Sequence, residues 1–369
     1  MKAIAVFPDE KKVRLIDHAP AKIMGPTQVK IRMLEVGVCG TDRDICNFQY
    51  GAPPANSPYL VIGHESLGEV VDVGPEVSRV GVGDLVVLMV RRPCPHEDCF
   101  ACRNGRQDFC STGDFTERGI KEVHGFMTEF VVDSEEYVNR VPANLREVAI
   151  LTEPLTIAEK ALIEVRQVQE RLPWGPHPAG QPLGYCHKAV VLGAGPVGLL
   201  GAMVLLHAGF ATYVYSRGSL ASPEAALVQS IGAVFISSST DSPADLQKKV
   251  GQIDLVYEAT GAAQISFEVM EVLGANSVMV FTGIPGLKAP IAVDADLIMR
   301  NLVLKNQIFF GTVNANRAAF EYAIRDLGAL MEKWPQAVRS LISGRYPLES
   351  YEDILLGPKK GIKNVFLFE

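Results

Sequence analysis

The sequence predicts an α/β protein with a doubly wound parallel sheet and a second, separate domain. Residues 188–310 alternate short apolar strands with helical segments, an order typical of parallel sheets covered by helices on both faces. A glycine-rich turn follows the first of these strands directly. Because the chain has 369 residues, it is long enough to form two domains.

The chain begins with MKAIAVFPDEKKVRL, which predicts a strand and a Pro-Asp turn and is charged too early for a signal peptide. Its formal net charge is −7 and its Lys and Arg residues are scattered, which argues against nucleic acid or an anionic membrane as the main partner. Residues 189–206 carry no charge, but their glycines and proline favour a strand, a turn and a helix over a membrane span. We therefore expect a soluble, cytoplasmic protein.

Two motifs between residues 36 and 77 offer metal ligands. VGVCGTDRDI contains Cys39, and GHESLGEVVDVGPEV contains His64 and Glu65. One thiolate with an imidazole and a carboxylate suits a catalytic zinc ion. Buried cysteines and lone histidines are also common outside metal sites, so the spacing alone leaves both interpretations open.

Four of the seven cysteines lie in CPHEDCFACRNGRQDFC, residues 94–110. Close-set cysteines in an intracellular protein usually bind metal or carry out redox chemistry. Cys94, Cys99, Cys102 and Cys110 predict a closed structural zinc site of four thiolates. The alternatives are that His96 replaces Cys94, that Cys99 and Cys102 form a redox pair, or that the thiols are unrelated. A redox pair is disfavoured because we expect no strand-to-helix junction here.

The stretch LTEPLTIAEKA predicts a helix, because Pro154 suits a first helical turn and apolar residues recur behind it at helical spacing. Glu153 at its start would complete a site of three protein ligands and one open position. Residues 173–187 contain four prolines and three glycines and predict a linker.

Residues 188–218, KAVVLGAGPVGLLGAMVLLHAGFATYVYSRG, predict a strand, a glycine turn, a helix and a second strand. Gly193, Gly195 and Gly198 give G-x-G-x-x-G between strand and helix, the context in which this motif binds the pyrophosphate of a dinucleotide. An NAD site would place an acid at the end of the second strand, whereas this chain has Arg217. Because arginine pairs with a 2′-phosphate, we expect NADP, with NAD as a second candidate.

Further elements continue the alternation of strands and helices. We expect a helix from Ser222 and Pro223 to Gly232, the strands AVFIS and IDLVYEATG, a helix ending near Gly274, and the strand SVMVFTG.

With these motifs in place, the chain resembles the zinc-dependent medium-chain dehydrogenases, and within them the archaeal-type glucose (aldose) 1-dehydrogenases. The family signature G-H-E-x-x-G-x5-G-x-x-V is met by Gly63, His64, Glu65, Gly68, Gly74 and Val77. CGTDRDI, DFCSTGDFTERGI, GFMTEF, EPLTIAEKA and GTVNANR resemble the narrower group. The resemblance implies a GroES-like β-rich catalytic domain over 1–187, a Rossmann domain over 188–311 and a return to the catalytic domain over 312–369. It also implies a cysteine lobe at about 91–112 that holds structural zinc.

The resemblance further implies a role for individual residues. It assigns catalytic zinc to Cys39, His64, Glu65 and Glu153, the substrate proton to Thr41, and the orientation of His64 to Asp42. Substrate contacts are expected from Thr41, Glu117, Glu153 and Asn314. Cofactor contacts are expected from Gly193, Gly195, Pro196, Val197, Gly198, Ser216, Arg217, Gly218, Phe281, Thr282, Gly283, Thr312, Val313 and Asn314.

Three positions depart from the family pattern. The first gap between the lobe cysteines is four residues, where two is usual. Val90 and Ile157 stand where the similar enzymes have a sugar-binding asparagine and aspartate. A site that loses two polar contacts binds sugar hydroxyls less well, so these positions bear on the identity of the substrate.

The implied reaction is zinc-dependent oxidation of a glucose-like aldose at C1 to the lactone, with hydride transfer to NADP. A zinc-dependent polyol or alcohol dehydrogenase is the alternative that Val90 and Ile157 favour. A non-catalytic NADPH-binding protein is a second alternative, and a structural or scaffolding protein a third. We expect a homodimer or homotetramer, because this lobe commonly accompanies oligomers in the family.

Overall fold

The computed structural model describes residues 1–172, 180–286 and 290–368. The predicted linker falls partly outside these residues, since 173–179 are not described. The chain divides into two compact units: Met1–Thr156, Asn314–Met331 and Val338–Glu369 form the first, and Ile157–Val313 and Glu332–Ala337 form the second. The chain passes from the first unit to the second between residues 156 and 157, and back between 313 and 314. The domain boundaries expected from the sequence, 187/188 and 311/312, stay a prediction.

The strands occupy both units. In chain order they are β1 Lys2–Phe7, β2 Lys12–Asp17, β3 Gln28–Val38, β4 Leu60–Val61, β5 Glu65–Val73, β6 Leu85–Leu88, β7 Arg91–Arg92, β8 Thr116–Arg118, β9 Glu122–Val123, β10 Phe130–Ser134, β11 Val138–Arg140, β12 Lys188–Leu192, β13 Ala211–Ser216, β14 Val234–Ser237, β15 Leu255–Glu258, β16 Val278–Phe281, β17 Ile308–Gly311, β18 Ile342–Pro347 and β19 Lys363–Leu367.

The α-helices are α1 Gly40–Cys46, α2 Phe100–Arg103, α3 Thr152–Gln169, α4 Pro196–His207, α5 Pro223–Ser230, α6 Pro243–Val250, α7 Ala263–Met270, α8 Ala295–Leu304, α9 Arg317–Lys333 and α10 Pro335–Ser340. Within the described residues, no helix is long and apolar enough to span a bilayer. The uncharged stretch 189–206 is divided between β12 and α4, as predicted.

The first unit is mostly antiparallel sheet. Its largest sheet has the order β11-β6-β5-β3-β19-β18, with β10 also paired to β3. Side chains of β3 alternate between buried and half-buried over most of its length, as expected for a strand with one face on a core. β7, β8 and β9 form a separate small sheet, and the cysteine lobe is the excursion between β7 and β8. The predicted N-terminal strand and turn are β1 and the tight link to β2.

The second unit holds a six-stranded parallel sheet of order β14-β13-β12-β15-β16-β17. Strand β12 is almost wholly buried, which is typical of parallel strands covered on both faces. Helix α5 begins where the sequence predicts, because the Ser222 hydroxyl caps it by accepting from the amide of Ala225. Helix α7 ends at Met270, short of Gly274.

Helices α6 and α8 of this unit were not predicted from the sequence. Helix α6 lies between β14 and β15 and begins with a capping box, in which Ser242 and Asp245 each bond the other's backbone N–H. Its capping residues were readable in the sequence, but its apolar stripe is short, with only Leu246 and Val250 buried.

Candidate active site

Three of the predicted ligands of catalytic zinc converge in the first unit. The ligand atoms of Cys39, His64 and Glu65 all lie within 4.8 Å of one another. Cys39 directly follows β3 and is the N-cap residue of α1, while His64 directly precedes β5 and Glu65 is the first residue of β5. Because β3 pairs with β5, Cys39 meets His64 although the two residues are 25 positions apart in sequence. This donor set of one thiolate, one imidazole and one carboxylate fits zinc.

Asp42 lies behind His64 and is fully buried. One of its oxygens is 3.3 Å from Nδ1 of His64, and the other accepts from the backbone N–H of Cys39 at 2.8 Å. Burial lowers the pKa of His64, but Asp42 and Cys39 outweigh it, so the pKa lies well above its ordinary value in the metal-free site. With Nδ1 turned to Asp42, Nε2 is available to a metal, as the resemblance implies.

Lys363 lies behind Glu65 and was not identified in the sequence. Its Nζ donates to both carboxylate oxygens of Glu65, at 2.5 and 2.7 Å, and to the carbonyl of Val38 at 3.2 Å. Both side chains are almost completely buried, so this is an ion pair removed from water. The carboxylate lies directly against Gly37, where an added Cβ would come within 2.0 Å of Oε2 of Glu65. Only glycine at position 37 leaves this space.

Glu153 and Thr41 complete the predicted set around the metal ligands. Burial raises the pKa of Glu153 to about 7, and His64 and Lys363 act against that shift while Glu65 adds to it. Glu153 therefore lies within electrostatic reach of the cluster, although it is outside the group of three whose ligand atoms converge. Oγ1 of Thr41 lies 4.0 Å from Sγ of Cys39.

The cysteine lobe brings its four thiols together. Sulfur atoms of Cys94, Cys99, Cys102 and Cys110 all lie within 4.8 Å of one another, and none is in a disulfide. Four thiols at these distances fit a tetrahedral structural zinc ion. The converging group contains Cys94 and not His96, whose Nε2 lies 2.5 Å from a carboxylate oxygen of Asp114.

The lobe contains a short helix that the sequence did not predict, although a loop separates it from the preceding strand β7. Cys99 is the N-cap residue of the four-residue helix α2. Backbone amides of Cys102 and Ser111 lower the pKa of Cys99 to about 5. Burial raises the pKa of Cys102 to about 12. Four thiols converge here rather than two, which suits metal binding better than a two-cysteine redox pair.

Glu117 and Asn314, the predicted sugar contacts, are hydrogen-bonded to each other in the first unit. Nδ2 of Asn314 donates to Oε1 of Glu117 at 2.9 Å, and Oδ1 of Asn314 accepts from the amide of Ala315 at 2.8 Å. Arg91 donates to the same Oε1 from Nε at 3.0 Å. Burial and then Glu117 raise the pKa of Tyr50, and His64 acts on it in the opposite direction.

In the second unit, the glycine motif takes the predicted form of strand β12, turn and helix α4. Gly193 has a positive φ of 103°, and a Cβ on Gly198 would lie 2.2 Å from the carbonyl of Gly193. Gly195 is the N-cap residue and offers no side chain, while Pro196 is at the first helical position. The backbone N–H groups of the first turn, beginning at Val197, are therefore open to an anion.

The other predicted cofactor residues follow the C-terminal ends of neighbouring strands. Ser216 ends β13 and is followed by the exposed Arg217 and by Gly218; Phe281 ends β16 and is followed by Thr282 and Gly283; Thr312 and Val313 follow β17. Oγ1 of Thr312 is buried and has no hydrogen-bond partner among the described residues. Ligands bind at this edge of doubly wound sheets, so this unit fits a dinucleotide.

Glu258 organises this edge and was also missed in the sequence. Its buried carboxylate accepts from the backbone N–H groups of Thr260, Gly261 and Gly283, at 2.6, 2.9 and 3.1 Å. It therefore fixes the loops that follow β15 and β16. Asn314, the last of the predicted cofactor residues, belongs to the first unit.

Comparison with known proteins settles the family. The family model described as "Glucose dehydrogenase C-terminus" matches residues 146–368, and "Alcohol dehydrogenase GroES-like domain" matches residues 25–143. The chain belongs to the glucose dehydrogenase family. It is therefore an NAD(P)-dependent dehydrogenase of the medium-chain, zinc-dependent type, with the GroES-like and Rossmann-like parts that the sequence predicts.

Members of the glucose dehydrogenase family match along the whole chain. A "Glucose 1-dehydrogenase" from Methanocella arvoryzae is 37% identical over 364 residues, covering 98% of either chain. Another from Thermoproteus tenax is 35% identical over 366 residues, covering 99% of either chain. The solved structure of Haloferax mediterranei glucose dehydrogenase in complex with NADP, Zn and gluconolactone has a TM-score of 0.88 at 30% identity, and covers 100% of this chain and 99% of its own.

Proposed function

We propose that this member of the family oxidises a glucose-like aldose at C1 to the aldonolactone and transfers the hydride to NADP, with NAD as a second acceptor. The observation that carries the proposal is the convergence of Cys39, His64 and Glu65 in a chain that matches glucose 1-dehydrogenases over 98% of its length. The Haloferax relative binds NADP, Zn and gluconolactone in its solved structure, which supports the same cofactors and product here.

Two zinc ions per chain are part of this proposal. Cys39, His64 and Glu65, with Glu153 beside them, would hold the catalytic ion, and the four thiols of the cysteine lobe would hold the structural ion. The catalytic ion supplies Lewis acidity that lowers the pKa of the C1 hydroxyl.

The chain's own residues orient the sugar and move its proton. Thr41, beside Cys39, accepts the proton of the C1 hydroxyl and passes it to solvent. Glu117 and Asn314, which are hydrogen-bonded to each other, would bind further hydroxyls of the sugar. A bound nicotinamide would take the hydride from C1, and with the hydroxyl proton passed to Thr41 this accounts for the two hydrogens lost when the lactone carbonyl forms.

In the second unit, the residues predicted for the cofactor would bind it in two parts. The N-terminus of α4 would take the pyrophosphate, and Arg217 would pair with the 2′-phosphate of NADP. Because the chain has no acid from Ser216 to Leu220, ribose recognition of the NAD type is the weaker expectation.

The test is an activity panel. Purified protein is given aldoses, polyols and simple alcohols with NADP or NAD, and reduced cofactor is followed by absorbance, with and without a chelator. Turnover of an aldose with NADP that is lost on chelation supports the proposal. Turnover of polyols or alcohols alone would contradict the sugar assignment, and silence in protein shown to contain zinc would favour a non-catalytic NADPH-binding protein.

A polyol or alcohol dehydrogenase is the second candidate, and two observations favour it. Val90 is buried among core residues of the first unit, and Ile157 is half-buried on α3. Neither side chain can hydrogen-bond a sugar hydroxyl. The same panel separates the two candidates.

We also propose that the chain forms a homodimer or homotetramer in the cytoplasm. Leu297, Met299, Val303 and Leu304 of α8 are exposed by 36 to 73%, and β17 is an outer strand of its sheet. Exposed apolar surface beside a sheet edge is typical of an interface between copies. Light scattering that gives the monomer mass would contradict the oligomer.

The cysteines support the cytoplasm as the compartment. All seven are free thiols, which suits a reducing environment.

A further inference from the structure

We propose that Arg91 is a positioning residue that joins the cysteine lobe to the substrate-binding carboxylate of Glu117. This inference rests on the proposed function, because Glu117 is assigned to the sugar there. Arg91 is not among the residues that the family resemblance assigned, and it touches neither metal cluster. It lies in β7 directly opposite Glu117 in β8, as register partners of an antiparallel pair.

The two carboxylate oxygens of Glu117 have different surroundings. Oε1 accepts from Nε of Arg91 at 3.0 Å and from Asn314 at 2.9 Å, and it lies 3.0 Å from a second guanidinium nitrogen. Oε2 has no hydrogen-bond partner among the described residues. It is also absent from the set of buried side-chain atoms that lack a partner, so it keeps some contact with solvent. A carboxylate held by one oxygen presents the other as a fixed acceptor, which is what a hydroxyl of a sugar requires.

Arg91 is itself fixed from several sides. Its guanidinium lies over the ring of Phe115, 3.7 Å from the centroid, and donates to the carbonyl of Asp108 at 3.3 Å. Its own carbonyl accepts from Nε2 of Gln107 at 3.5 Å. Arg91 is 6% exposed, and a buried guanidinium charge is stable only when its hydrogen-bond and ion-pair partners are in place.

Asp108 and Gln107 belong to the 3-10 turn Gln107–Phe109, which lies between the third and fourth cysteines of the lobe. The backbone N–H of Cys110 donates to the carbonyl of Gln107 at 3.1 Å, the turn supplies the Asp108 carbonyl for Arg91, and Arg91 holds Glu117. The geometry therefore gives the cysteine lobe a second task beyond stability, namely to set the position of an acceptor for the sugar.

The test separates binding of sugar from the chemical step. In Arg91→Gln, we expect the KM for the sugar to rise about tenfold or more, with kcat and the KM for NADP changed less than about twofold. Arg91→Lys keeps the charge but not the planar fork, and should fall in between. Arg103→Gln is the matched control: it removes an exposed arginine of the lobe that donates to the carbonyl of Glu97 at 3.4 Å, away from the turn that holds Arg91, and should leave the KM for the sugar unchanged.

A double-mutant cycle with Glu117→Gln decides whether Arg91 acts through Glu117. We expect the double variant to have the same KM as Glu117→Gln alone. Because the double variant removes both buried charges, it keeps the test open if Arg91→Gln does not fold. Additive effects, or a wild-type KM in Arg91→Gln, would overturn the inference while leaving the proposed function intact. Wild-type protein that turns over no aldose would overturn both.

Discussion

The two ligand clusters differ in where their residues come from and in what holds them. The cysteine lobe draws all four thiols from 17 consecutive residues, and backbone amides of the same segment contact its sulfurs. The cluster of Cys39, His64 and Glu65 is assembled by the pairing of β3 with β5. Its side chains are held by Asp42 from α1 and by Lys363 from the C-terminal strand β19. One site is local and the other depends on the whole first unit.

This difference matches the chemistry expected of each site. A closed set of thiolates needs only the loop that carries it, so it can act as a fold stabiliser. A mixed set with one open position must hold its ligands still while substrate enters, and outer hydrogen bonds and ion pairs supply that rigidity. Removing a ligand from the cluster of Cys39, His64 and Glu65 should therefore act mainly on activity, and removing one from the cysteine lobe mainly on stability.

The largest effect is expected from Cys39→Ala. Loss of the thiolate should lower kcat by about a thousandfold or more, because the Lewis acid is no longer held, while NADPH binding stays nearly intact. Bound zinc should fall by one ion per chain. Steady-state kinetics, NADPH titration and metal analysis check the three parts. Cys46→Ala, a buried thiol at the end of the same helix, is the control and should keep its zinc and its activity. Unchanged turnover in Cys39→Ala would exclude the assigned role.

The second effect concerns stability. Cys99→Ala should also remove one zinc ion, but the result should be unfolding at lower temperature, with a loss on the order of 3 kcal/mol or more. Thermal denaturation with and without chelator measures it. The exposed Cys186 gives a control, since Cys186→Ala should change neither zinc content nor unfolding. A Cys99 variant that keeps both of its zinc ions would show that the lobe is not a metal site.

Lys363→Met tests the long-range support of the catalytic cluster. Without the ammonium, the Glu65 carboxylate stays buried and unpaired, so the metal-free protein should lose about 3 kcal/mol of stability. Added zinc should recover more stability in this variant than in wild type, because it replaces the missing positive charge. Denaturant unfolding with and without zinc measures both values, and Lys363→Arg serves as the charge-conserving control. Equal zinc effects in variant and wild type would contradict this account.

The smallest effect is a separation of the two zinc ions on acidification. The raised pKa of His64, together with the pKa of about 7 at Glu153, lets protons compete for the catalytic cluster near neutral pH. In the lobe, backbone amides lower the pKa of Cys99 to about 5 while burial raises that of Cys102 to about 12, so the later release expected there rests on the closed set of four thiolates, which has one ligand more than the open cluster. As pH falls, zinc release to a chromogenic chelator should therefore occur in two steps, with activity lost in the first. Activity that survives the first step would reverse the assignment.

The same difference explains what the sequence could predict. The cysteine lobe was readable from spacing, because its ligands are neighbours in sequence. Cys39, His64 and Glu65 became convincing only through the family signature, since spacing says nothing about residues joined by strand pairing. The parallel sheet and its glycine turn were also readable, because strand, turn and helix follow one another directly.

Residues that act from a distance left no such signal. Lys363 is 298 positions from Glu65, and a single lysine in a C-terminal strand has no recognisable pattern. Arg91 was visible only as half of an Arg-Arg pair, and its partner became clear from the register of β7 and β8. Helix α2 was missed because four residues are too few to show helical periodicity.

The register of β7 and β8 has a consequence for how this part of the chain can vary. Arg92 and Thr116 are cross-strand partners, so the segment between them leaves and rejoins the first unit at a single point. The length of such a segment can change without shifting either strand. The four residues between Cys94 and Cys99, where two are usual, are one such change. A protein engineer who replaced the segment with a short hairpin turn would keep both strand ends. The replacement would still have to offer Arg91 one carbonyl, the contact that Asp108 now makes.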